Sequence, residues 1–149
     1  MTPAAPLSTH LPGTWELLSR VDRTAAGDVR DEPTLGSDPV ALLVYDRAGH
    51  YAAQFMMRDR SAPSVDGPAT AGNNSRALGG YDAYFGTYTV DDARGLVTQT
   101  LLGALSAENV GMVVTRGMTI AHDVLTIQLD TTAVDGTAVT RTLTWRRVG

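Results

Sequence analysis

Apolar and polar residues alternate in short segments along this chain, and their two-residue period is the feature that most restricts its fold. The clearest runs begin at Trp15, Leu125 and Val139. A period of two with β-branched and aromatic residues is typical of half-buried antiparallel strands. The alternation predicts eight strands, at residues 14–22, 39–45, 50–58, 84–91, 96–104, 111–120, 124–131 and 138–147.

The connections between these segments form a tight class and a long class. Asp- and Gly-containing tight turns are predicted at 46–49, 92–95 and 121–123, because these residues tolerate left-handed backbone or form Asx turns. Successive connections of an up-and-down barrel alternate between its ends. We therefore predict an all-β fold, a closed antiparallel up-and-down β-barrel of about eight strands. Tight turns would close its base. The longer connections, at about 23–38, 59–83, 105–110 and 132–137, would surround an open mouth.

The longest connection, residues 59–83, is predicted to lie over the open end of the barrel. Residues 61–72 are rich in Pro and Gly, and Asn73 or Asn74 would cap a short helix through residues 76–78. A long loop over a cavity is often a lid. A surface loop without such a role is the alternative that the sequence leaves open.

The composition limits the domain organisation and the chemistry. A chain of 149 residues with 43% hydrophobic content forms one domain with a real core. We expect residues 1–10 to be an N-terminal tail and residues 11–149 to be the barrel domain. The absence of Cys excludes a disulfide framework and a thiol nucleophile. All twelve basic residues are Arg, which excludes Schiff-base catalysis by a Lys amine. That usage is typical of a GC-rich bacterial genome.

Charge and hydropathy predict a small-molecule partner. The net charge of −4 comes without a basic stripe, so no nucleic-acid partner is expected. With no long apolar run and no signal-peptide pattern, we expect a cytoplasmic protein without a membrane partner. The expected partner is a small hydrophobic ligand or substrate, and a homodimer stays open.

The positions of the histidines argue against a metal centre. His10 lies in the tail, and His50 and His122 lie at the predicted base turns. Neither a three-histidine metal site nor a Ser-His-Asp triad is expected from this placement. No Gly-rich nucleotide-binding loop is present. The prediction is therefore no metal and no cofactor.

Two sets of residues carry a resemblance to a known family. The segment Gly13-Thr14-Trp15 resembles the entry signature of lipocalins, which implies that Trp15 closes the barrel base under Arg146 or Arg147. Several further segments resemble the bacterial and fungal lipocalin-like domain family of calycin-type barrels: residues 40–54, residues 80–91, Val110-Gly111 followed by Arg116, and residues 143–148.

This resemblance spans residues 11–148 and implies a barrel with an internal cavity, but no single reaction. The chain has Gln99-Thr100 where many members have two histidines, so no role that depends on those imidazoles is carried over.

Arg116 is the candidate site residue that the strand pattern singles out. It shares the predicted inward face of its strand with Val114 and Met118. A guanidinium on an apolar face is costly unless it has polar or anionic partners. Two interpretations follow: Arg116 anchors an anionic ligand, or it is a structural arginine satisfied by Tyr88, Gln99 and the backbone.

Other candidates share the predicted cavity. Tyr84 and Tyr88 are expected to face inward, where a phenol orients a carbonyl or acts as an acid; packing is the alternative. Arg141 is expected on the inward face near the mouth, where it contacts an anionic group or is simply solvated at the rim. In strand 50–58, the pattern favours Tyr51, Ala53, Phe55 and Met57 inward, while the family block contains Gln54. The candidate catalytic residues are Tyr88 and Arg116. The predicted ligand-binding residues are Arg116, Tyr88, Tyr84, Gln99, Gln54, Met56, Met118, Trp145 and Arg141.

The first predicted strand also alternates between two faces. Trp15, Leu17, Ser19 and Val21 alternate with Glu16, Leu18, Arg20 and Asp22. On this pattern Glu16 and Asp22 face outward. We therefore expect no pair of carboxylates inside the barrel.

Two functions remain open on the sequence. The first is a small-molecule-binding barrel for a largely apolar ligand with a polar or anionic group, in secondary metabolism. The second is a cofactor-independent cyclase or isomerase acting on a polyketide-like molecule. The fold alone does not choose between them.

Overall fold

Antiparallel strands make up most of the protein. The computed structural model describes residues 6–68 and 76–149. Two short helical segments are present, α1 (Leu7–His10) and a 3-10 turn (Ala107–Asn109). The strands are β1 (Gly13–Arg23), β2 (Val29–Arg30), β3 (Val40–Tyr45), β4 (His50–Met56), β5 (Tyr81–Asp91), β6 (Leu96–Ala104), β7 (Val113–Ala121), β8 (Val124–Thr132) and β9 (Ala138–Arg147).

The strands form one closed barrel. Each strand pairs antiparallel with the next from β3 to β9, β1 pairs with β3, and β1 also pairs with β9. The two-residue strand β2 adds only a short edge to β1. Eight strands therefore enclose the core, which confirms the predicted barrel.

The two ends of the barrel differ as the connections predict. The tight turns lie at the end where β1 begins, and the long connections lie at the opposite end. In the β7–β8 turn, His122 and Asp123 have φ values of 52° and 61°. Two successive left-handed residues suit the right-handed twist of a tight hairpin.

The base is sealed by the N-terminal segment. Leu7 and Leu11 are buried in the core, and Trp15 Nε1 donates a hydrogen bond of 3.0 Å to the Leu11 carbonyl. The Arg147 guanidinium lies 4.3 Å from the centroid of the Trp15 ring, a cation–π distance. A contact of Trp15 with Arg146 or Arg147 was predicted, and Arg147 makes it. Part of the predicted tail, Leu7–His10, packs as a helical turn.

The mouth is partly covered by its loops. Leu35, from the connection to β3, and Ala77, from the connection to β5, both belong to the buried core. Gly67 N–H donates to the Ala77 carbonyl at 2.8 Å, which ties the two described parts of the 59–83 connection together. The predicted caps Asn73 and Asn74 lie outside the described residues. Residues 76–78 are not helical, contrary to expectation, and Leu78 instead forms a β-bridge with Tyr81.

A bulge in β1 changes which side chains face inward. The pairing of β1 with β9 shifts between Leu17 and Ser19, and Leu18 points outward. One extra residue reverses the face of every side chain that follows it. Arg20 and Asp22 are therefore buried, at 7% and 3% exposure. The prediction that Asp22 faces outward was wrong, whereas Glu16, which precedes the bulge, is exposed.

Within residues 6–68 and 76–149, no helix has the length and apolar character that a membrane crossing requires.

Candidate functional site

The barrel encloses a narrow cavity. The centre of a water molecule can reach about 40 Å³ of this cavity. That free space holds a few waters at most. Apolar and aromatic side chains form most of the wall, interrupted by three arginines. The lining residues are Arg20, Leu43, Tyr45, Phe55, Tyr84, Gln99, Arg116, Met118, Ile127, Leu129, Arg141, Leu143 and Trp145.

The structure brings most of the predicted ligand-binding residues together. Strand β7 contributes Arg116 and Met118, and β9 contributes Arg141 and Trp145. Tyr84 from β5 and Gln99 from β6 complete this part of the lining. Their convergence follows from local alternation around each residue, and the β5–β6 pairing shifts its register only beyond Gln99, between Phe85 and Gly86.

Tyr88 does not line the cavity, although it faces inward. Its hydroxyl donates a hydrogen bond to the Asp46 carbonyl in the base turn between β3 and β4. Its ring meets that of Tyr45 edge-on, with centroids 4.8 Å apart. The packing interpretation of Tyr88 fits this position.

Gln54 and Met56 lie on the outer face of β4, which corrects their assignment to the cavity. Tyr51, Ala53 and Phe55 are all buried on the inner face, and alternation places the residues between them outside. Gln54 is exposed, and its Oε1 accepts a hydrogen bond of 2.7 Å from the Tyr81 hydroxyl. Met56 lines an open groove on the same outer face.

Four charged side chains form a buried set at the mouth, here called the mouth quartet: Arg20, Asp22, Glu32 and Arg141. Arg141 donates two hydrogen bonds to Asp22, from Nε at 2.7 Å and from Nη2 at 2.9 Å. Arg20 Nη1 lies 3.0 Å from Glu32 Oε2, and Arg141 Nη2 lies 3.9 Å from Glu32 Oε1. Two positive and two negative charges therefore balance within the set, as buried ions require.

Glu32 is held as a carboxylate by its neighbours. Burial opposes its ionisation, but Arg20, the Thr34 hydroxyl and the Leu35 N–H outweigh burial, so the pKa of Glu32 is lowered. The Leu35 N–H donates at 2.9 Å. Since Glu32 belongs to the loop before β3, this carboxylate fixes that loop to the barrel wall.

Three members of the quartet, Arg20, Asp22 and Glu32, were not predicted from the sequence pattern. Leu17-Leu18 interrupts the alternation of β1 and is the local signal of the bulge that turns Arg20 and Asp22 inward. No comparable signal marks Glu32, because its position depends on how a loop folds back. Arg141 was predicted at the mouth, and the structure buries it in an ion pair.

Arg116 gives the cavity a further positive charge. It is partly buried between Val114 and Met118, and its Nη1 donates to the Thr115 carbonyl at 3.3 Å. Burial lowers the pKa of Arg116, and Arg141 acts in the same direction, while the phenols of Tyr84, Tyr45 and Tyr51 oppose them. None of the described residues that line the cavity is a carboxylate, whereas three are arginines. Two of these arginines, Arg20 and Arg141, are paired with Glu32 and Asp22 of the quartet.

Tyrosines form the wall that faces this charge. The rings of Tyr45 and Tyr51 are stacked with centroids 5.8 Å apart, and Tyr84 lies 6.2 Å from Tyr51. Gln99 Nε2 donates to the Tyr45 hydroxyl. Burial raises the pKa of Tyr84 above its ordinary value, and the charge of Asp82 adds to this effect. The Tyr84 phenol therefore stays protonated at neutral pH and is a hydrogen-bond donor to a ligand.

Metal ligation finds no support in the part of the chain that the structure describes, where no three His, Cys, Asp or Glu side chains are grouped to hold an ion.

A closed eight-stranded antiparallel barrel with a cavity and a loop-covered mouth defines the class of calycin-type barrels, whose architecture suits small-molecule binding. A family model described as lipocalin-like domain matches residues 12–148. The chain therefore belongs to the lipocalin-like domain family. No curated protein matches the chain.

Proposed function

We propose that the barrel binds a small, largely apolar molecule that carries one anionic group, and that Arg116 holds this group. The observation that carries the proposal is the lining of the cavity, with three arginines and no carboxylate among its described residues. Asp22 and Glu32 contact Arg141 and Arg20, so the charges of the quartet balance, and Arg116 is the lining arginine outside the quartet.

The shape of the cavity restricts the ligand further. Phe55 lies between Tyr84 and Trp145, with ring centroids 6.3 and 5.6 Å away. The space that a water molecule can enter is only about 40 Å³. A flat molecule inserted beside these rings needs the smallest side-chain movement. A substituted aromatic acid therefore fits better than a branched or globular ligand.

The test compares a charged with a neutral ligand of the same shape. Isothermal titration calorimetry measures the Kd of 4-ethylbenzoate and of 4-ethylbenzamide. A charge-assisted hydrogen bond contributes about 1.5–3 kcal/mol, so the wild type should prefer the carboxylate by roughly 10- to 150-fold. In Arg116→Met this preference should disappear while the Tm is unchanged. Arg94→Met is the matched control, because Arg94 is an exposed arginine in a base turn.

Two results would overturn the anchoring role. One is a folded Arg116→Met protein that retains the preference for the carboxylate. The other is a variant with a much lower Tm whose folded fraction still prefers the carboxylate over the amide. That result would make Arg116 a structural arginine.

A second candidate function, a cofactor-independent cyclase or isomerase of secondary metabolism, is supported by Tyr84. The raised pKa of Tyr84 keeps its phenol protonated, and the Arg116 guanidinium lines the same cavity. The phenol and the guanidinium are two fixed donors that stabilise an oxyanion developing on a reacting carbonyl. Incubation with a synthetic poly-β-ketone, followed by mass spectrometry and NMR of the products, tests it. Catalysis is supported if the wild type converts the substrate faster than buffer alone and if this rate falls at least tenfold in Tyr84→Phe. A wild-type rate equal to that in buffer refutes it.

A further inference from the structure

Trp145 carries a buried donor that has no acceptor among the described residues. It lies on the inner face of β9, is 1% exposed and lines the cavity. Its indole Nε1 is buried and has no hydrogen-bond partner among residues 6–68 and 76–149. An indole N–H can only donate. Leaving such a donor unsatisfied in the interior is costly, so the site requires an explanation.

The other tryptophan shows that the fold can satisfy such a group. Trp15 is equally buried, and its Nε1 donates to the Leu11 carbonyl at 3.0 Å. Both indoles lie inside the same barrel, but within the part of the chain that the structure describes only Trp15, at the base, has a backbone acceptor. The unsatisfied N–H belongs to the one that lines the cavity.

The rest of the cavity also presents donors. Arg20, Arg116 and Arg141 have no acceptor atoms in their side chains. Tyr84 is protonated, and Gln99 already donates to Tyr45. A ligand that complements this lining supplies hydrogen-bond acceptors at more than one position.

Trp145 and Arg116 reach the cavity from separate places. Trp145 pairs with Leu125 on β8, and Leu125 pairs with Ile120 on β7. Ile120 lies four residues closer to the base than Arg116 along β7. A single carboxylate held by Arg116 is therefore not the natural partner of the Trp145 N–H.

We propose that the Trp145 N–H donates a hydrogen bond to a carbonyl oxygen of the ligand, at a second position nearer the base than its anionic group. The ligand class is then an aromatic or conjugated keto acid, with a carboxylate at Arg116 and a ketone at Trp145. This inference rests on the proposed function, because it assumes that Arg116 orients the ligand.

The test uses 4-acetylbenzoate and 4-ethylbenzoate, two acids of nearly the same shape that differ in a ketone oxygen. The sequence contains two tryptophans, so the ¹H–¹⁵N spectrum of the protein shows two indole signals. With 4-acetylbenzoate the Trp145 proton should move downfield, while the Trp15 signal stays in place. With 4-ethylbenzoate neither signal should show a downfield shift. A neutral hydrogen bond should make the ketone bind about 3- to 10-fold more tightly.

Trp145→Phe removes the N–H and keeps an aromatic ring beside Phe55. In this variant the two acids should bind with equal affinity, while the preference for 4-ethylbenzoate over 4-ethylbenzamide persists. If Trp145→Phe does not fold, replacement of Trp145 by benzothienylalanine removes only the N–H and gives the same comparison.

The possible outcomes separate this inference from the proposed function. Equal affinity of the wild type for the two acids, without an indole shift, overturns the ketone inference, and a remaining Arg116-dependent preference for the carboxylate leaves the proposed function standing. Retention of the ketone preference after removal of the N–H also overturns the inference. Failure of the wild type to bind either acid overturns both.

Discussion

Replacement of Asp22 by Leu should cost the barrel about 3 kcal/mol of unfolding free energy. The Asp22 and Arg141 side chains are 2% and 7% exposed, and two hydrogen bonds of 2.7 and 2.9 Å join them. Removing one partner of a buried pair costs about 3–5 kcal/mol, because the other charge stays buried. Glu32, 3.9 Å from Arg141 Nη2, compensates part of that charge and places the expected loss at the lower end.

The double variant Asp22→Leu/Arg141→Met should be far more stable than the sum of the single effects predicts. Replacing both ions by apolar side chains of similar size removes the desolvation cost together with the attraction. A coupling free energy of at least about 2 kcal/mol is expected from the double-mutant cycle.

The matched control is an ion pair between the same two strands on the outer face. Glu16 pairs directly with Arg146 in the register of β1 and β9, as Asp22 does with Arg141. Its ions lie 3.2 Å apart but are 51% and 56% exposed. Glu16→Leu should therefore change the free energy of unfolding by less than about 1 kcal/mol.

Urea denaturation followed by tryptophan fluorescence measures all of these values by linear extrapolation at constant m. The assignment of Asp22 and Arg141 as a coupled buried pair fails if Asp22→Leu costs no more than Glu16→Leu. It fails equally if the double variant loses the full sum of the two single effects.

Two further predictions concern the base and the mouth. Trp15→Ala should lower stability by about 3–5 kcal/mol, because the ring is fully buried beneath Arg147; a Tm equal to that of the wild type would contradict its placement. Glu32→Gln should remove a pH-dependent contribution to stability. Because neighbours lower the pKa of Glu32, its advantage over Gln is present above the ordinary pKa of 4.5 and declines as the pH falls through the lowered folded-state value. Thermal melts of both proteins between pH 7 and about pH 3 measure this difference, and a constant difference in Tm would refute the role of Glu32.

The candidate site shows how far strand parity reaches. Arg116 and Met118 were predictable because β7 alternates without interruption, and both side chains line the cavity. The resemblance to the family favoured Gln54 as a cavity residue, whereas the alternation of β4 placed it on the outer face. The alternation proved correct. The unsatisfied N–H of Trp145 was not predictable, because hydrogen-bond partners are decided by distant residues.

The sequence by itself determined the closed barrel and its two unlike ends. These features depend on a two-residue period and on turn residues, which act locally and are visible in any short window. Only the tertiary structure decided that Arg20, Asp22 and Glu32 join Arg141 in a buried charged set. The bulge after Leu17 is fixed by the pairing of β1 with β9, more than a hundred residues away in the chain, and a shift of one residue moves Arg20 and Asp22 from the solvent to the interior. Glu32 reaches them from a loop whose position depends on the closed barrel, since its carboxylate is stable there only beside the arginines that the bulge turned inward.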